Sequence, residues 1–351
     1  MRVVVVGATG NAGTSLLRAL ADEPAVDSVL GVARRLPALE FRKTEWAQAD
    51  VTTSDLVPLF RGADAVVHLA WLIQPSHDLG HLWRVNVDGS TRVFRAVGEA
   101  RVPSLVYASS VGGYSRGPKE GAVDESWPTN GIRTSFYARH KAEVERRLDR
   151  FEHEHPDVRS ARLRPALIFK REAGSELRRL FAGPFFLNPL LRTSLVPVVP
   201  NVPGLRFQCV HSHDVGDAYR LALLRDVRGA FNVAADPVLD AHALARVLEA
   251  RPIPFPTGVV RGITALTWRL HLQPTPAGWL DLALGVPIMD WTRAREELGW
   301  SPRSSAVEAL EDVLKGLREG AGIATPPLAP KRGGPLRVRE LATRAGEAEL
   351  P

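Results

Sequence analysis

Three glycines spaced three residues apart follow the first apolar run of the chain, and they constrain its fold more than any other feature. The run covers residues 2–6, and a helical pattern follows over residues 15–20. An apolar run without alternation is typical of a parallel strand that is buried on both faces. Glycines at a strand-to-helix junction permit a tight turn and let a phosphate reach the free N–H groups of the helix. The sequence therefore predicts a phosphate cradle, whose loop consists of Gly7, Ala8, Thr9, Gly10, Asn11, Ala12 and Gly13.

A serine, a tyrosine and a lysine occur later in the order of a proton-transfer site. Ser110 follows the apolar run at residues 104–108, and Tyr137 and Lys141 stand four residues apart in a helical pattern. Side chains four apart share one helical face and can address one ligand. A phenol, whose ordinary pKa is about 10, needs a nearby cation to act as a base near neutral pH. We expect Lys141 to supply that cation; the alternative is a half-buried Tyr137 and a solvated Lys141 paired with Glu145.

Together these motifs resemble the extended short-chain dehydrogenase/reductases, also called the NAD-dependent epimerase/dehydratase family. The resemblance extends over residues 1–320 and includes the stretch RAREELGWSP that begins at Arg293. It implies an α/β fold, a Rossmann-type doubly wound parallel sheet with a smaller, mostly helical C-terminal substrate lobe. One departure is Ser115, which stands where the family pattern has a glycine after Tyr114.

The resemblance also implies roles for individual residues. The catalytic residues are Ser110, Tyr137 and Lys141. The cofactor-binding residues are Gly7, Thr9, Gly10, Asn11, Ala12, Gly13, Arg34, Asp50, Val51, Leu69, Ala70, Asn86, Tyr137, Lys141 and Pro165. For Asp50 an alternative stays open, namely that its side chain only caps the turn over residues 50–54.

The end of the second predicted strand bears on the choice between NADP(H) and NAD(H). A carboxylate there binds both ribose hydroxyls of NAD and repels a 2′-phosphate, whereas an arginine attracts that phosphate. Ala33 stands where NAD-type members carry Asp, and Arg34 follows it. The sequence thus favours NADP(H), with NAD(H) as the other option. The alternative is that Arg34 and Arg35 are solvated residues at the end of a strand.

Composition limits the remaining classes of function. The 351 residues include 45 basic and 39 acidic side chains that are interspersed, so the net charge of +6 forms no basic stripe for nucleic acid. The ten histidines are joined by no cysteine or carboxylate pattern that completes a metal-ligand set. The single cysteine, Cys209, suits a reducing compartment. No secretion signal or apolar stretch of membrane-spanning length is evident, so we expect a cytoplasmic protein without membrane partners.

The pattern along the chain predicts two lobes and a tail. Strands are predicted at residues 2–6, 28–33, 45–49, 65–69, 104–108 and 161–168. Residues 1–170 then form the dinucleotide-binding domain, to which residues 207–234 return through predicted strands at residues 207–210 and 229–233. The substrate-binding lobe comprises residues 171–206 and 235–325. Residues 326–351 are rich in Pro, Gly, Arg and Glu, and we expect them to be disordered.

Three functions fit these observations. The first is an NAD(P)-dependent oxidoreductase acting on a secondary alcohol or ketone. The second is a nucleotide-sugar epimerase with tightly bound NAD, and the third is a non-catalytic NAD(P)-binding sensor or scaffold. The intact Ser-Tyr-Lys set disfavours the third. Arg34 and the aromatic residues of the substrate-binding lobe disfavour the epimerase and indicate a small, apolar substrate. These aromatic residues include Phe185, Phe186, Trp268 and Trp279. A homodimer is compatible with all three.

Overall fold

The computed structural model of the chain describes residues 1–73, 77–179, 198–273 and 275–330. The strands in these residues are β1 (Arg2–Val6), β2 (Ser28–Ala33), β3 (Thr44–Gln48), β4 (Ala65–His68), β5 (Ser104–Ala108), β6 (Ala122–Val123), β7 (Arg159–Pro165), β8 (Leu167–Phe169), β9 (Val198–Asn201), β10 (Arg206–His211), β11 (Gly229–Val233), β12 (Ala235–Asp240), β13 (Arg251–Pro254) and β14 (Ile288–Met289). The helices are α1 (Asn11–Ala21), α2 (Val57–Phe60), α3 (Leu79–Trp83), α4 (Gly89–Glu99), α5 (Phe136–Glu154), α6 (Gly174–Leu177), α7 (Ser212–Leu224), α8 (Ala241–Leu248), α9 (Thr257–Arg269), α10 (Ala277–Gly285) and α11 (Ala306–Glu319).

A seven-stranded parallel sheet in the order β11-β7-β5-β4-β1-β2-β3 forms the centre of the fold. This confirms the predicted α/β class. The strand order reverses direction between β1 and β4, which lie side by side with Val6 opposite His68. In doubly wound sheets, ligands bind outside the carboxyl ends of the strands at such a reversal. The topology thus places the glycine loop after β1 at the position where a ligand is expected.

The valines of β1 show why this strand lies at the centre of the sheet. Val3 and Val5 pack into one apolar cluster with residues of α1 and α7, whereas Val4 and Val6 pack into a second cluster with residues of α4 and α5. All four side chains are at most 1% exposed. The unbroken apolar run therefore reflects burial on both faces, as expected from the sequence.

Two predicted strands pair differently from expectation. The run at 161–168 is divided into β7 and β8, because Pro165 has no N–H to continue the ladder. From there β8 pairs with β10, with Leu167 opposite Cys209, in a separate sheet that also contains β12. Residues 207–210 thus belong to this small sheet and not to the main one, while β11 returns to the main sheet beside β7. Cys209 is fully buried.

The first part of the predicted disordered tail is packed against the protein. Within residues 326–330, Leu328 is fully buried and its backbone N–H bonds to the Thr325 carbonyl at 3.1 Å. Arg179 donates to the carbonyl oxygens of Pro327 and Ala329. The rest of the tail, residues 331–351, lies outside the described residues. Residues 326–330 therefore form a strap that is held by Arg179, two residues after the end of α6.

We expect Leu328→Ala to reduce the free energy of unfolding by about 2–3 kcal/mol, because it empties a buried site at the edge of the fold. Chemical denaturation of the variant and the wild type measures this difference. Leu36→Ala serves as the control, since Leu36 is 51% exposed and its truncation should change stability by less than about 0.5 kcal/mol. Equal, small effects of the two substitutions would show that the strap contributes nothing to folding.

Candidate active site

The glycine loop has the close backbone packing that a phosphate cradle requires. Gly7 has a φ of +87°, and a Cβ there would lie 2.5 Å from the Ala70 backbone nitrogen. A Cβ on Gly13 would lie 2.5 Å from the Gly7 carbonyl oxygen. On Gly10, by contrast, a Cβ would meet nothing closer than that oxygen, at 3.6 Å. Two glycines thus close the turn, and the third leaves its surface open to a ligand, so the loop fits a dinucleotide pyrophosphate.

A cleft opens from this loop across the carboxyl ends of β1, β2 and β4. Seven of the predicted cofactor residues line it: Gly7, Thr9, Gly10, Arg34, Val51, Leu69 and Ala70. Further lining residues include Val32, Ala33, Arg35, Ala49, Trp71, Leu72, Ile73, Val85, Glu176, Arg179, Pro326 and Pro327. Arg34, which is predicted to meet a 2′-phosphate, therefore lies at the cleft together with Arg35.

Three other predicted cofactor residues instead hold the loops around the cleft. Asn11 donates through Nδ2 to the Ile168 carbonyl at 3.0 Å. Asp50 accepts from the backbone N–H of Thr52 at 2.7 Å and from its hydroxyl at 2.6 Å, which is the turn-capping role left open above. The third of these is Asn86, whose buried amide makes paired hydrogen bonds of 2.7 and 2.9 Å with the backbone of Leu72 and so fixes the loop after β4. Ala12 and Gly13 lie in the first turn of α1, and Pro165 ends β7.

Ser110, which is buried, and Tyr137, which is half-buried, lie next to each other beside the cleft. Ser110 is 7% exposed, and its hydroxyl lies 3.0 Å from the Gly112 N–H, from which it accepts. Burial raises the pKa of Tyr137 to about 12, and the hydrogen bond from Ser110 opposes this rise. A Cβ on Gly112 would lie 2.7 Å from the Tyr137 ring, so the glycine permits this close approach. The phenol is therefore protonated near neutral pH and is placed to donate its proton.

Lys141 contacts an aromatic ring that the sequence did not single out. Its ammonium lies 3.5 Å from the centroid of the Trp71 ring and donates to the Ala108 carbonyl at 2.7 Å. The centroid of the Tyr137 ring is 6.0 Å away, and Trp71 meets that ring edge-on at 5.9 Å between centroids. Burial lowers the pKa of Lys141 well below its ordinary value, and the charge of Glu145 partly opposes this. Trp71 thus lines the cleft and contacts both Lys141 and Tyr137.

Glu145 is not the surface partner of Lys141 that the alternative interpretation required. Its side chain is 1% exposed and binds the Arg164 guanidinium through both oxygens, at 2.6 and 2.9 Å. Ser109 donates to the same carboxylate. Burial raises the pKa of Glu145, but the hydrogen bonds and charge of Arg164 outweigh this and hold it below its usual value. Of the two adjacent serines, Ser109 therefore supports the fold and Ser110 lies next to Tyr137.

Aromatic rings flank the tyrosine on the side of the second lobe. Trp279 lies 5.1 Å from Tyr137 between ring centroids, and Phe136 packs edge-on against Trp279. Trp268 lies elsewhere in the lobe, stacked on His77 at 3.7 Å. Phe185 and Phe186 lie outside the described residues. Of the four aromatic residues singled out in the sequence, Trp279 is thus the one placed beside Tyr137 in the part of the chain that the structure describes.

The sequence pattern missed several residues at the site. Trp71 lies three residues after the end of β4, and an aromatic residue close to the predicted strand end was the available signal. Arg179 and the strap residues Pro326 and Pro327 reach the cleft from distant parts of the chain, and no local motif marks them. Lys170, which is fully buried beneath α1, also carries no motif.

Comparison with known families agrees with this geometry. The family described as the NAD dependent epimerase/dehydratase family matches residues 3–234, which include the glycine loop, Ser110, Tyr137 and Lys141. The chain belongs to this family. Nicotinamide dinucleotide is accordingly the class of cofactor that its glycine loop and cleft fit. Within the described residues, no helix is both long and apolar enough to cross a membrane.

Individual relatives in the epimerase/dehydratase family are more distant. A protein of Mycobacterium tuberculosis without a known function is 28% identical over 327 residues, which cover 92% of this chain but 31% of that protein. The chain thus spans less than a third of that relative's length. A second such protein of the same species is 25% identical over 326 residues, which cover 90% of this chain and 83% of that protein. The L-arabinose 1-dehydrogenase (NAD(P)(+)) of Haloferax volcanii is 33% identical over 110 residues, which cover 31% of this chain and 41% of the dehydrogenase.

Solved structures of nucleotide-sugar epimerases share the fold. The UDP-glucose 4-epimerase of Thermotoga maritima with UDP-glucose has a TM-score of 0.68 at 19% identity, covering 91% of this chain and 99% of the epimerase. The UDP-glucose 4-epimerase of Thermus thermophilus with NAD has a TM-score of 0.66 at 19% identity and the same coverage. At these identities the likeness shows the fold alone.

Proposed function

We propose that the protein is an oxidoreductase that moves a hydride between a nicotinamide dinucleotide and a secondary alcohol or ketone. The observation that carries the proposal is that the Ser110 hydroxyl and the Tyr137 ring adjoin each other, 3.5 and 2.7 Å from the Cβ position of Gly112, beside a cleft that starts at the glycine loop. Lys141 lies one helical turn further along α5. Family membership and the dehydrogenase name of the Haloferax volcanii relative support the same reaction class.

The chain's own residues supply the proton and the orientation of the substrate. The raised pKa of Tyr137 keeps the phenol protonated, so it can donate a proton to the oxygen of a carbonyl. The Ser110 hydroxyl, which lies next to that phenol, orients the same oxygen. In the reverse direction Tyr137 has to lose its proton, and Lys141 favours this loss when it is protonated, because its nitrogen lies 6.0 Å from the centroid of the tyrosine ring. A bound nicotinamide supplies or accepts the hydride.

The surroundings of Tyr137 favour an apolar substrate. The rings of Trp71 and Trp279 lie 5.9 and 5.1 Å from the Tyr137 ring, between centroids, and present large apolar surfaces beside the tyrosine. Such surfaces suit an aliphatic or aromatic ketone, because burying apolar area against them is favourable. The family and the epimerase folds support a second candidate, an epimerase that oxidises and re-reduces one carbon of a nucleotide sugar.

Absorbance at 340 nm separates these two reactions. The protein is incubated with NADP⁺ or NAD⁺ and either a panel of secondary alcohols or a panel of UDP-sugars. We expect the reduced cofactor to accumulate with an apolar alcohol. Conversion of a UDP-sugar into its epimer without accumulation of reduced cofactor would establish the epimerase instead, and the absence of both reactions would contradict catalysis of this class.

We further propose that Arg34 binds the 2′-phosphate and makes NADP(H) the preferred cofactor. Losing a hydrogen bond to a charged group costs roughly 1.5–3 kcal/mol, so Arg34→Ala should weaken NADPH binding by about 10- to 150-fold and leave NADH binding nearly unchanged. Fluorescence titration with both cofactors measures the two affinities. An equal loss for NADH and NADPH, or no loss, would refute this role of Arg34.

A further inference from the structure

A lysine that the proposed reaction does not use is buried directly beneath the glycine loop. Lys170 follows β8 and is 0% exposed. Its ammonium donates to the Asn11 carbonyl at 2.8 Å, to the Thr14 hydroxyl at 2.7 Å and to the Ser15 hydroxyl at 3.1 Å. All three acceptors lie in the first two turns of α1. A positive charge is thus enclosed at the end of the helix that faces the cleft.

This position is electrostatically unfavourable while no anion is bound. The N-terminus of a helix carries a partial positive charge, so an ammonium there is repelled rather than stabilised. The usual compensation is missing from α1, whose first turn contains no acidic residue and whose N-cap, Gly10, has no side chain to cap it. The three neutral oxygens satisfy the hydrogen bonds of Lys170 but do not neutralise its charge. An external anion at the glycine loop would do so.

We propose that Lys170 is a second electrostatic component of the cofactor site, which binds the pyrophosphate through its field and takes up a proton when the dinucleotide binds. The proposal rests on dinucleotide binding at the glycine loop but not on the catalytic role of Tyr137. Because linkage is reciprocal, an anion that favours the charged lysine is itself bound more tightly by the charged form.

The other groups around Lys170 keep a constant charge between pH 7 and 9. Arg18 of α1 lies on one side and forms an ion pair of 3.0 Å with Glu172. His213 of α7 also contacts Arg18, and burial lowers its pKa below 6.5, so it is neutral in this range. Burial raises the pKa of Glu172, on the segment after Lys170, but a backbone hydrogen bond and Arg18 outweigh this and hold it below its usual value, so it is ionised there. Glu176 carries the other carboxylate that acts on Lys170. Burial lowers the pKa of Lys170 itself to about 7, which leaves it as the titrating member of this group.

The sign of the pH dependence follows from these charges. Below pH 7 the lysine is charged in both the free and the bound protein, and its full contribution to affinity is present. As the pH rises above 7, Lys170 loses its proton in the free protein before it does so in the bound protein. Binding of the dinucleotide in this range is therefore accompanied by uptake of a proton. Above the pKa of the bound state the lysine is neutral in both forms and contributes nothing. If the bound anion raises the pKa by about one unit, NADH binds on the order of tenfold more tightly at pH 6.5 than at pH 9.

Titration calorimetry with NADH tests the proposal, because the charge of NADH is constant over this range. The dissociation constant is measured from pH 6.5 to 9, and the proton uptake is obtained at pH 7.5 from the enthalpy in HEPES and in Tris. At every pH, Lys170→Met should bind NADH as weakly as the wild type binds it at pH 9. Its binding of NADH should not be accompanied by proton uptake. Lys170→Arg should bind with the tight affinity at every pH, since arginine does not titrate.

Lys119→Met is the matched control. Lys119 is also largely buried, its pKa is lowered to about 8, and it donates to the carbonyls of Arg206 and Ala283, neither of which lines the cleft. This variant should keep the pH dependence and the proton uptake of the wild type. A pH dependence that is the same in Lys170→Met and the wild type would overturn the role of Lys170 and leave the proposed function standing. Failure of the wild type to bind NADH or NADPH at any pH would overturn both.

Discussion

Tyr137→Phe should lower kcat by about 10²- to 10⁴-fold, the range that a positioned general acid or base contributes. The substitution removes the phenol hydroxyl of the side chain next to Ser110 and leaves the ring against Trp71 and Trp279. Cofactor affinity should therefore stay within a few-fold of the wild type. Steady-state kinetics with the alcohol identified in the 340 nm assay, together with NADPH titration, measures both quantities.

The control for this substitution is Tyr219→Phe. Tyr219 is fully buried in the core on α7, and its hydroxyl has no hydrogen-bond partner in the part of the chain that the structure describes. Removing that hydroxyl should leave kcat unchanged and should not reduce stability, since no bond is lost. Wild-type turnover in Tyr137→Phe, or an equal loss in both variants, would contradict the assignment of Tyr137.

Glu145→Ala should reduce the free energy of unfolding by about 3–5 kcal/mol, because it leaves a buried guanidinium without its counter-charge. Arg164 is 5% exposed and makes two hydrogen bonds to the carboxylate, and Arg162 lies 3.6 Å from it. Urea denaturation at pH 7 gives the difference. Arg95→Ala, which breaks an exposed ion pair with Glu99, should cost no more than about 0.5 kcal/mol.

The contribution of the Glu145 pair should also depend on pH. Because the pKa of Glu145 in the folded protein lies below its ordinary value of 4.5, the stabilisation is complete above pH 4.5. It is lost as the pH falls through the folded-state pKa and the carboxylate takes up a proton. The difference in stability between the wild type and Glu145→Ala should therefore shrink in acid. A difference that is constant down to pH 3 would contradict the ion-pair explanation.

The sequence predicted the strands best where an apolar run is continuous. The predicted bounds of β1, β2 and β5 coincide with those in the structure, because each run is buried in the parallel sheet. The helix predicted over residues 15–20 begins earlier, at Asn11, since packing of the first turn against α7 overrides the weak helix propensity of glycine and asparagine. A local sequence pattern therefore predicts that an element exists more reliably than it predicts the residue at which that element begins.

Pairing partners and remote contacts could not be predicted in the same way. The apolar character of residues 207–210 indicates a strand but does not specify which sheet it joins, and here β8 provides the partner. The sequence likewise located Ser110, Tyr137 and Lys141 by spacing. It did not reveal that the Lys141 ammonium packs on the Trp71 ring or that Lys170 lies beneath α1, because these contacts depend on how separate segments are packed.

The most direct measurement of the central claim is a crystal structure of the wild-type protein grown with NADP⁺. We expect the pyrophosphate over Gly7 and Gly10, the 2′-phosphate beside Arg34, and the nicotinamide ring facing Ser110 and Tyr137. Such a complex would place the hydride-bearing carbon next to the proton donor. A dinucleotide bound with its nicotinamide away from Tyr137, or crystals without any dinucleotide at saturating NADP⁺, would contradict the proposed function.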